Sequence, residues 1–124
     1  MSEPSAQRRS PARFGQVERE MLNHLAWLSI DDGLGRGPGL QELRAAPLVV
    51  DLEQLEPWLR EPAATFVTLH KNRELRGCIG TLRAHQPLAQ DVVDHAFAAA
   101  FQDPRFGPLR AHERPLLSLH ISVL

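Results

Sequence analysis

The sequence has one cysteine, Cys78, so no disulfide can form within the chain and a small fold stapled by internal bridges is excluded. It also lacks any excess of charge. Its 14 basic and 15 acidic side chains leave a net charge of −1, so there is no global attraction to phosphate backbones or anionic membranes, and a nucleic-acid role would need a local patch. No apolar run approaches the length of a bilayer span, and the opening MSEPSAQRRSPAR has no apolar core of the signal-peptide kind. A cytoplasmic location is the resulting expectation. Internal repeats are absent. The 6 histidines, His24, His70, His85, His95, His112 and His120, fall on different predicted elements without i, i+4 pairing among themselves, so neither a metal nor a cofactor is expected.

What is present suits one domain. With 124 residues, 43% hydrophobic and 23% charged, the chain is long enough to bury a core and ordinary in composition for a globular protein. Residues 1–15, with Pro4, Pro11 and several arginines, read as a flexible tail, and 16–124 as the domain. Val17, Met21, Leu22, Leu25 and Leu28 recur at helical spacing, which predicts a helix from Gln16 to Ile30 that Asp31-Asp32-Gly33 closes. The GLGRGPG run from Gly33 lacks the preceding strand and the lysine-serine pair of a phosphate loop, and so reads as a connector. Leu48 to Val50 reads as a short strand. Asp51 then caps a short helix over Leu52 to Leu59, which Pro57 must distort or restart, with Trp58 covering core.

The densest β pattern is FVTLHKNRELRGCIGTL, from Phe66 to Leu82. Thr65 to His70 is rich in β-branched and aromatic residues. Lys71-Asn72-Arg73-Glu74 is a polar break with Asn72 as its left-handed residue, and Leu75 to Leu82 resumes an extended pattern, so the stretch reads as a hairpin. Gly77 and Gly80 flank Cys78-Ile79. Glycine weakens a strand and is tolerated where the backbone bulges or another group must come close. Arg76, Gly77, Cys78 and Gly80 therefore form a candidate ligand-binding stretch, with the Cys78 thiol as the candidate catalytic group. The competing reading makes Cys78 a small core residue and lets the glycines admit a helix over Pro87 to Phe101. That helix is apolar on most sides, leaving a narrow polar strip of Gln90, Asp91, Asp94, His95 and Gln102. Asp103 to Pro108 must then be a stiff loop, holding Arg105 either toward an anionic ligand or in a pair with Asp91, Asp94 or Asp103. Leu117, Leu119, Ile121 and Val123 alternate with Ser118, His120 and Ser122 in a last half-buried strand, which is an edge unless it pairs between others.

The motifs FVTLHK, LRGCIGTL, PLAQDV, AFAAAFQDPRFGPL and LSLHISVL together resemble the AMMECR-type domain family, whose prokaryotic members are called AmmeMemoRadiSam system protein A. The resemblance covers Gln16 to Leu124 and implies an α+β domain: an antiparallel β-sheet with a central hairpin and helices packed against it. The residue pattern gives the same class. Family members continue beyond the LSLHISVL strand, so the resemblance further implies a single domain lacking its C-terminal part. It establishes no reaction. It does imply partners, a Memo-type protein and a radical SAM enzyme.

An accessory or binding module acting with those two partners is the first functional expectation, because paired carboxylates, a close Cys-His signature and metal-ligand spacing are all missing from the sequence. A thiol-dependent enzyme is the alternative: alternation would set Arg76, Cys78 and Gly80 on one side of a strand, with the guanidinium activating the thiol and His70, His85 or His120 as base. Nucleic-acid binding through Lys71, Arg73, Arg76, Arg83 and Arg105 ranks third, since the chain is near neutral. Oligomeric state is left open.

Overall fold

The computed structural model describes residues 14–35 and 47–124. The first helix, α1 (Gln16–Gly35), does not stop at Ile30. Asp31, Asp32 and Gly33 continue it because Gly33 is a packing position: a Cβ there would lie 2.3 Å from the Phe101 ring. A residue that reads locally as a helix stop is used instead to let a second helix close in. The rest of the glycine-rich connector and the tail up to residue 13 lie outside the described residues. Phe14, just before α1, is buried, with its ring 5.5 Å from that of Trp58.

Residues 48–50 are not a strand. Their backbone is bound by a side chain: Val50 N–H donates to Gln90 Oε1 (2.9 Å), and Gln90 Nε2 donates to the Leu48 carbonyl (2.8 Å). One primary amide thus supplies both the donor and the acceptor that a neighbouring strand would have supplied. Asp51 caps the next turn as expected, accepting from Glu53 N–H at 3.1 Å. Pro57 splits the segment into a 3-10 turn (Leu52–Gln54) and a one-turn helix, α2 (Pro57–Arg60).

The sheet has three antiparallel strands, β1 (Thr65–Lys71), β2 (Glu74–Gly80) and β3 (Leu117–Val123), in the order β2-β1-β3. Asn72 and Arg73 both have positive φ, 51° and 71°, as a two-residue hairpin turn requires to match strand twist. Register slips once, between Leu69 and His70, which pair with Gly77 and Leu75. Arg76 is the extra residue of a β-bulge.

The long helix α3 (Leu88–Phe101) starts at Pro87 and lies across one face of the sheet. On that face Val67 and Leu69 of β1 are fully buried with Val92, Ala96, Ala99 and Ala100 of α3, and Ile79, Leu119 and Ile121 pack against them. Leu22, Ala26 and Ile30 of α1 complete the core. Ser29 ties the two helices together through a 2.8 Å hydrogen bond to the Val93 carbonyl. Gly77 is where α3 touches β2, and a Cβ there would meet the Ala99 carbonyl oxygen at 2.1 Å. Gly80 does not face the helix. A Cβ there would meet the Phe66 ring and the Thr65 carbonyl oxygen, both at 2.4 Å.

The obstacle at Gly77 is backbone, which cannot rotate away, so Gly77→Ala is expected to cost about 3 kcal/mol by forcing α3 off the sheet. Chemical denaturation checks this; a loss below about 1 kcal/mol would mean that the helix yields without strain.

Candidate functional site

The two most distinctive stretches, LRGCIG and DPRF, form one unit. Asp103 follows α3 directly, and its Oδ2 accepts from the Cys78 backbone N–H at 3.0 Å, closing the outer edge of β2. Arg105 holds that carboxylate with two hydrogen bonds, Nε to Oδ1 (3.1 Å) and Nη2 to Oδ2 (2.8 Å), and Asp103 Oδ1 also accepts from Arg105 N–H. The Arg105 guanidinium, outweighing burial, holds the Asp103 carboxyl well below the usual carboxylate range, with the Cys78 N–H adding to the effect. Arg105 therefore fastens the loop, one of the two roles its position allowed.

Arg76 is likewise committed. The bulge removes it from the alternation expected with Cys78 and Gly80. Its Nε donates to Glu113 Oε1 (2.8 Å) and its Nη2 to the Gly107 carbonyl (3.0 Å). Glu113 is buried in a 3-10 helix (Ala111–Leu116) and also accepts from Lys71 Nζ (3.2 Å) and from Arg110 N–H (2.9 Å). Hydrogen bonding from Arg76, stronger than the opposing burial, lowers the Glu113 pKa. Phe106 lies between the two guanidiniums, its ring centroid 5.7 Å from the Arg76 carbon and 5.4 Å from that of Arg105. Of the five-residue basic patch, Lys71 and Arg76 thus share one carboxylate and Arg105 has another.

A third polar cluster is buried between β1 and α3. Thr65 Oγ1 lies 2.7 Å from Asp91 Oδ2 and 2.9 Å from His95 Nδ1, and His95 Nδ1 is 3.2 Å from Asp91 Oδ2. The hydroxyl has one proton, which the carboxylate takes, so Nδ1 must carry a hydrogen and donate. Gln86 Nε2 adds a bond to Asp91 Oδ1 and another to Asp94, each 3.0 Å. Burial pushes the Asp91 carboxyl up, but the bonds from His95, Gln86 and Thr65 outweigh it and leave its pKa lowered. One imidazole nitrogen lies within reach of both partners, so the cluster clamps α3 to the start of β1.

Another group of side chains lies on the sheet face turned away from α3. Strand register sets Cys78, Thr68 and His120 in one row across the three strands. Cys78 Sγ is 3.2 Å from Thr68 Oγ1. Phe66, His70, Ser118 and Ser122 share this face by alternation, and the exposed Leu75 and Leu124 stand at its ends. The regular strand positions there carry no charge. An open depression of about 320 Å³ lies at the hairpin tip, against Lys71, Asn72 and Glu74, and not over the thiol. Among the described residues no three of His, Cys, Asp and Glu converge on a metal-binding arrangement, and no helix is long and apolar enough to cross a membrane.

The expected site residues therefore separate. Gly77 faces α3, Cys78 and Gly80 face outward, and Arg76 and Arg105 end in ion pairs. Glu113 and the Thr65–Asp91–His95 cluster were missed. The available signal was Asp91 and His95 at i, i+4 on a largely apolar helix, a spacing that puts two polar groups on one stripe.

A family model described as AMMECR1 matches residues 33–124. A protein of Thermofilum pendens is 33% identical over 122 residues, covering 90% of this chain and 53% of its own length. A protein of Thermotoga maritima is 45% identical over 71 residues, or 56% of this chain and 41% of its own. The crystal structure of an uncharacterized protein from Pyrococcus horikoshii superimposes with a TM-score of 0.70 at 29% identity, over 85% of this chain and 50% of that one. The chain thus spans about half the length of these relatives.

Asp91, Asp103 and Glu113 all have lowered pKa values. Each therefore favours the folded state above the ordinary carboxylate range and withdraws that support as pH falls through its folded value. Melting temperature is expected to hold near neutrality and to decline progressively below about pH 5. Glu113→Ala, which strands Arg76, is expected to cost about 3 kcal/mol at neutral pH and to flatten the acid decline. Melts recorded across pH test both; an unchanged acid slope in the variant would remove Glu113 from the response.

Proposed function

The chain belongs to the AMMECR1 family, and on that footing we propose that it is an accessory binding module acting with Memo-type and radical SAM proteins, without chemistry of its own. The observation that carries this reading is how the charged groups are distributed. The arginines of the two signature stretches are held in structural clamps, Arg76 by Glu113 and Arg105 by Asp103, which also takes the Cys78 N–H. The outward sheet face is left neutral, with Phe66 and Leu75 beside hydroxyl, imidazole and thiol groups. A surface of that composition suits another polypeptide better than a phosphate backbone or an anionic bilayer. Titration calorimetry against each purified partner tests it: Thr68→Arg, at the centre of the face, is expected to weaken binding at least tenfold while leaving the melting temperature within a few degrees. If neither partner binds the unaltered chain, the reading falls.

A thiol enzyme using Cys78 is the second reading, and the row Cys78–Thr68–His120 is the observation that favours it. With Arg76 held by Glu113, activation of the thiol would have to come from that row. Alkylation by iodoacetamide at pH 7 separates the readings. The binding module predicts a rate no faster than that of a free thiol, and a rate ten times faster that Thr68→Val or His120→Ala abolishes would favour the enzyme.

A further inference from the structure

A carboxylate offers about four lone-pair sites, and all of those on Glu113 are taken. Its Oε1 accepts from Lys71 Nζ (3.2 Å) and Arg76 Nε (2.8 Å), and its Oε2 from Arg76 Nη2 (3.2 Å) and the Arg110 N–H (2.9 Å). The other Nη2 hydrogen goes to the Gly107 carbonyl. A guanidinium has five N–H donors. On Arg76 the three on Nε and Nη2 are used, whereas Nη1 is buried and meets no acceptor among the described residues. Lys71 Nζ can donate three hydrogen bonds, and among the described residues it makes the single bond to Glu113. Two cations therefore share one negative charge that has no lone pair left for them. The surplus is one positive charge with unmatched donors.

Both cations line the depression at the hairpin tip, about 320 Å³ in volume, whose other walls are Asn72, Glu74 and Leu75. It lies at the end of the sheet where Lys71 pairs with Leu117, away from the end where Thr65 pairs with Val123. A buried donor without an acceptor calls for an explanation, and an ion beside it is one of the few available. We propose that the depression is a binding site for a small organic carboxylate, which accepts from Lys71 Nζ and compensates the surplus charge of the Lys71–Arg76 pair. Glu113 and Gly107 hold the guanidinium in place, so its charge is a fixed feature of the site. The Lys71 side chain is 34% exposed and can turn toward the ligand on its flexible stem. Leu75, 41% exposed, offers an apolar wall, which suits an organic acid better than inorganic phosphate. Glu74 stands exposed on the same wall and opposes a second negative charge, limiting the ligand to a monoanion. Neither partner protein is needed for this site, whose cations belong to the hairpin tip and not to the outward face.

Titration of the isotope-labelled full chain with sodium butyrate at fixed ionic strength, followed by amide chemical shifts, tests the proposal. Saturable shifts concentrated on residues 71–76 are expected, and sodium chloride at the same ionic strength is expected to produce none of them. Lys71→Gln is expected to weaken butyrate binding about tenfold. Glu74→Gln, which removes the opposing charge, is expected to tighten it. Both side chains are at least partly exposed, so the melting temperature should stay within a few degrees in each variant. Arg76 is left in place because its removal would strand the buried Glu113. Inorganic phosphate is expected to bind more weakly than butyrate. Butyrate shifts no different from those of chloride, undiminished binding by Lys71→Gln, binding by Glu74→Gln that is no tighter, or phosphate binding tighter than butyrate would each overturn the proposal.

Discussion

The rest of the structure depends on how closely α3 can approach β2. At Gly77 the Ala99 carbonyl comes so near that a single methyl group would not fit. Small residues on both sides, Ala96, Ala99 and Ala100 on the helix and glycine on the strand, let backbone pack on backbone. This seating sets where the helix ends. The end of the helix then determines where Asp103 falls, opposite the free N–H of Cys78. A signature in two pieces, about two dozen residues apart in sequence, is thus a single clamp.

Seen this way, the arginines that invite a functional reading are part of the scaffold. Glu113 gathers Lys71, Arg76 and the Arg110 amide, and Asp103 gathers Arg105 and the Cys78 amide. A buried carboxylate is costly unless nearly all its lone pairs are engaged, and both are. The Arg76 Nη1 atom is buried without an acceptor among the described residues, and the carbon of the same guanidinium lies 5.7 Å from the Phe106 ring centroid. The strand positions of the sheet's far face, by contrast, enter none of these ion pairs and are half exposed.

Much of this fold was legible from the sequence. Asn72 marked the hairpin turn because few side chains tolerate positive φ. Pro87 and the alanine-rich run marked α3, and clean alternation marked β3. The misreadings share a cause, namely tertiary contact overriding a local signal. Gly33 reads as a helix stop until Phe101 is placed against it. Residues 48–50 read as a strand, but the groups that satisfy their backbone belong to Gln90. The Arg76 bulge reversed the side-chain order on which the thiol-activation idea relied. Asp91 read only as part of a narrow polar strip because its partners Thr65 and Gln86 sit on other segments.

The strand order has a kinetic consequence. The central strand β1 acquires one neighbour across a two-residue turn, but its other neighbour, β3, arrives only after α3 and the loop beyond it have been laid down. Closing a short loop costs little entropy, whereas closing the long one must await compensation by packed surface. The hairpin and α3 can therefore collapse first, leaving one flank of β1 open until β3 docks. During that interval β1, with its buried Thr65, Val67 and Leu69 positions, is the strand most exposed to capture by another unfolded chain. The rate at which β3 docks sets how long that hazard lasts.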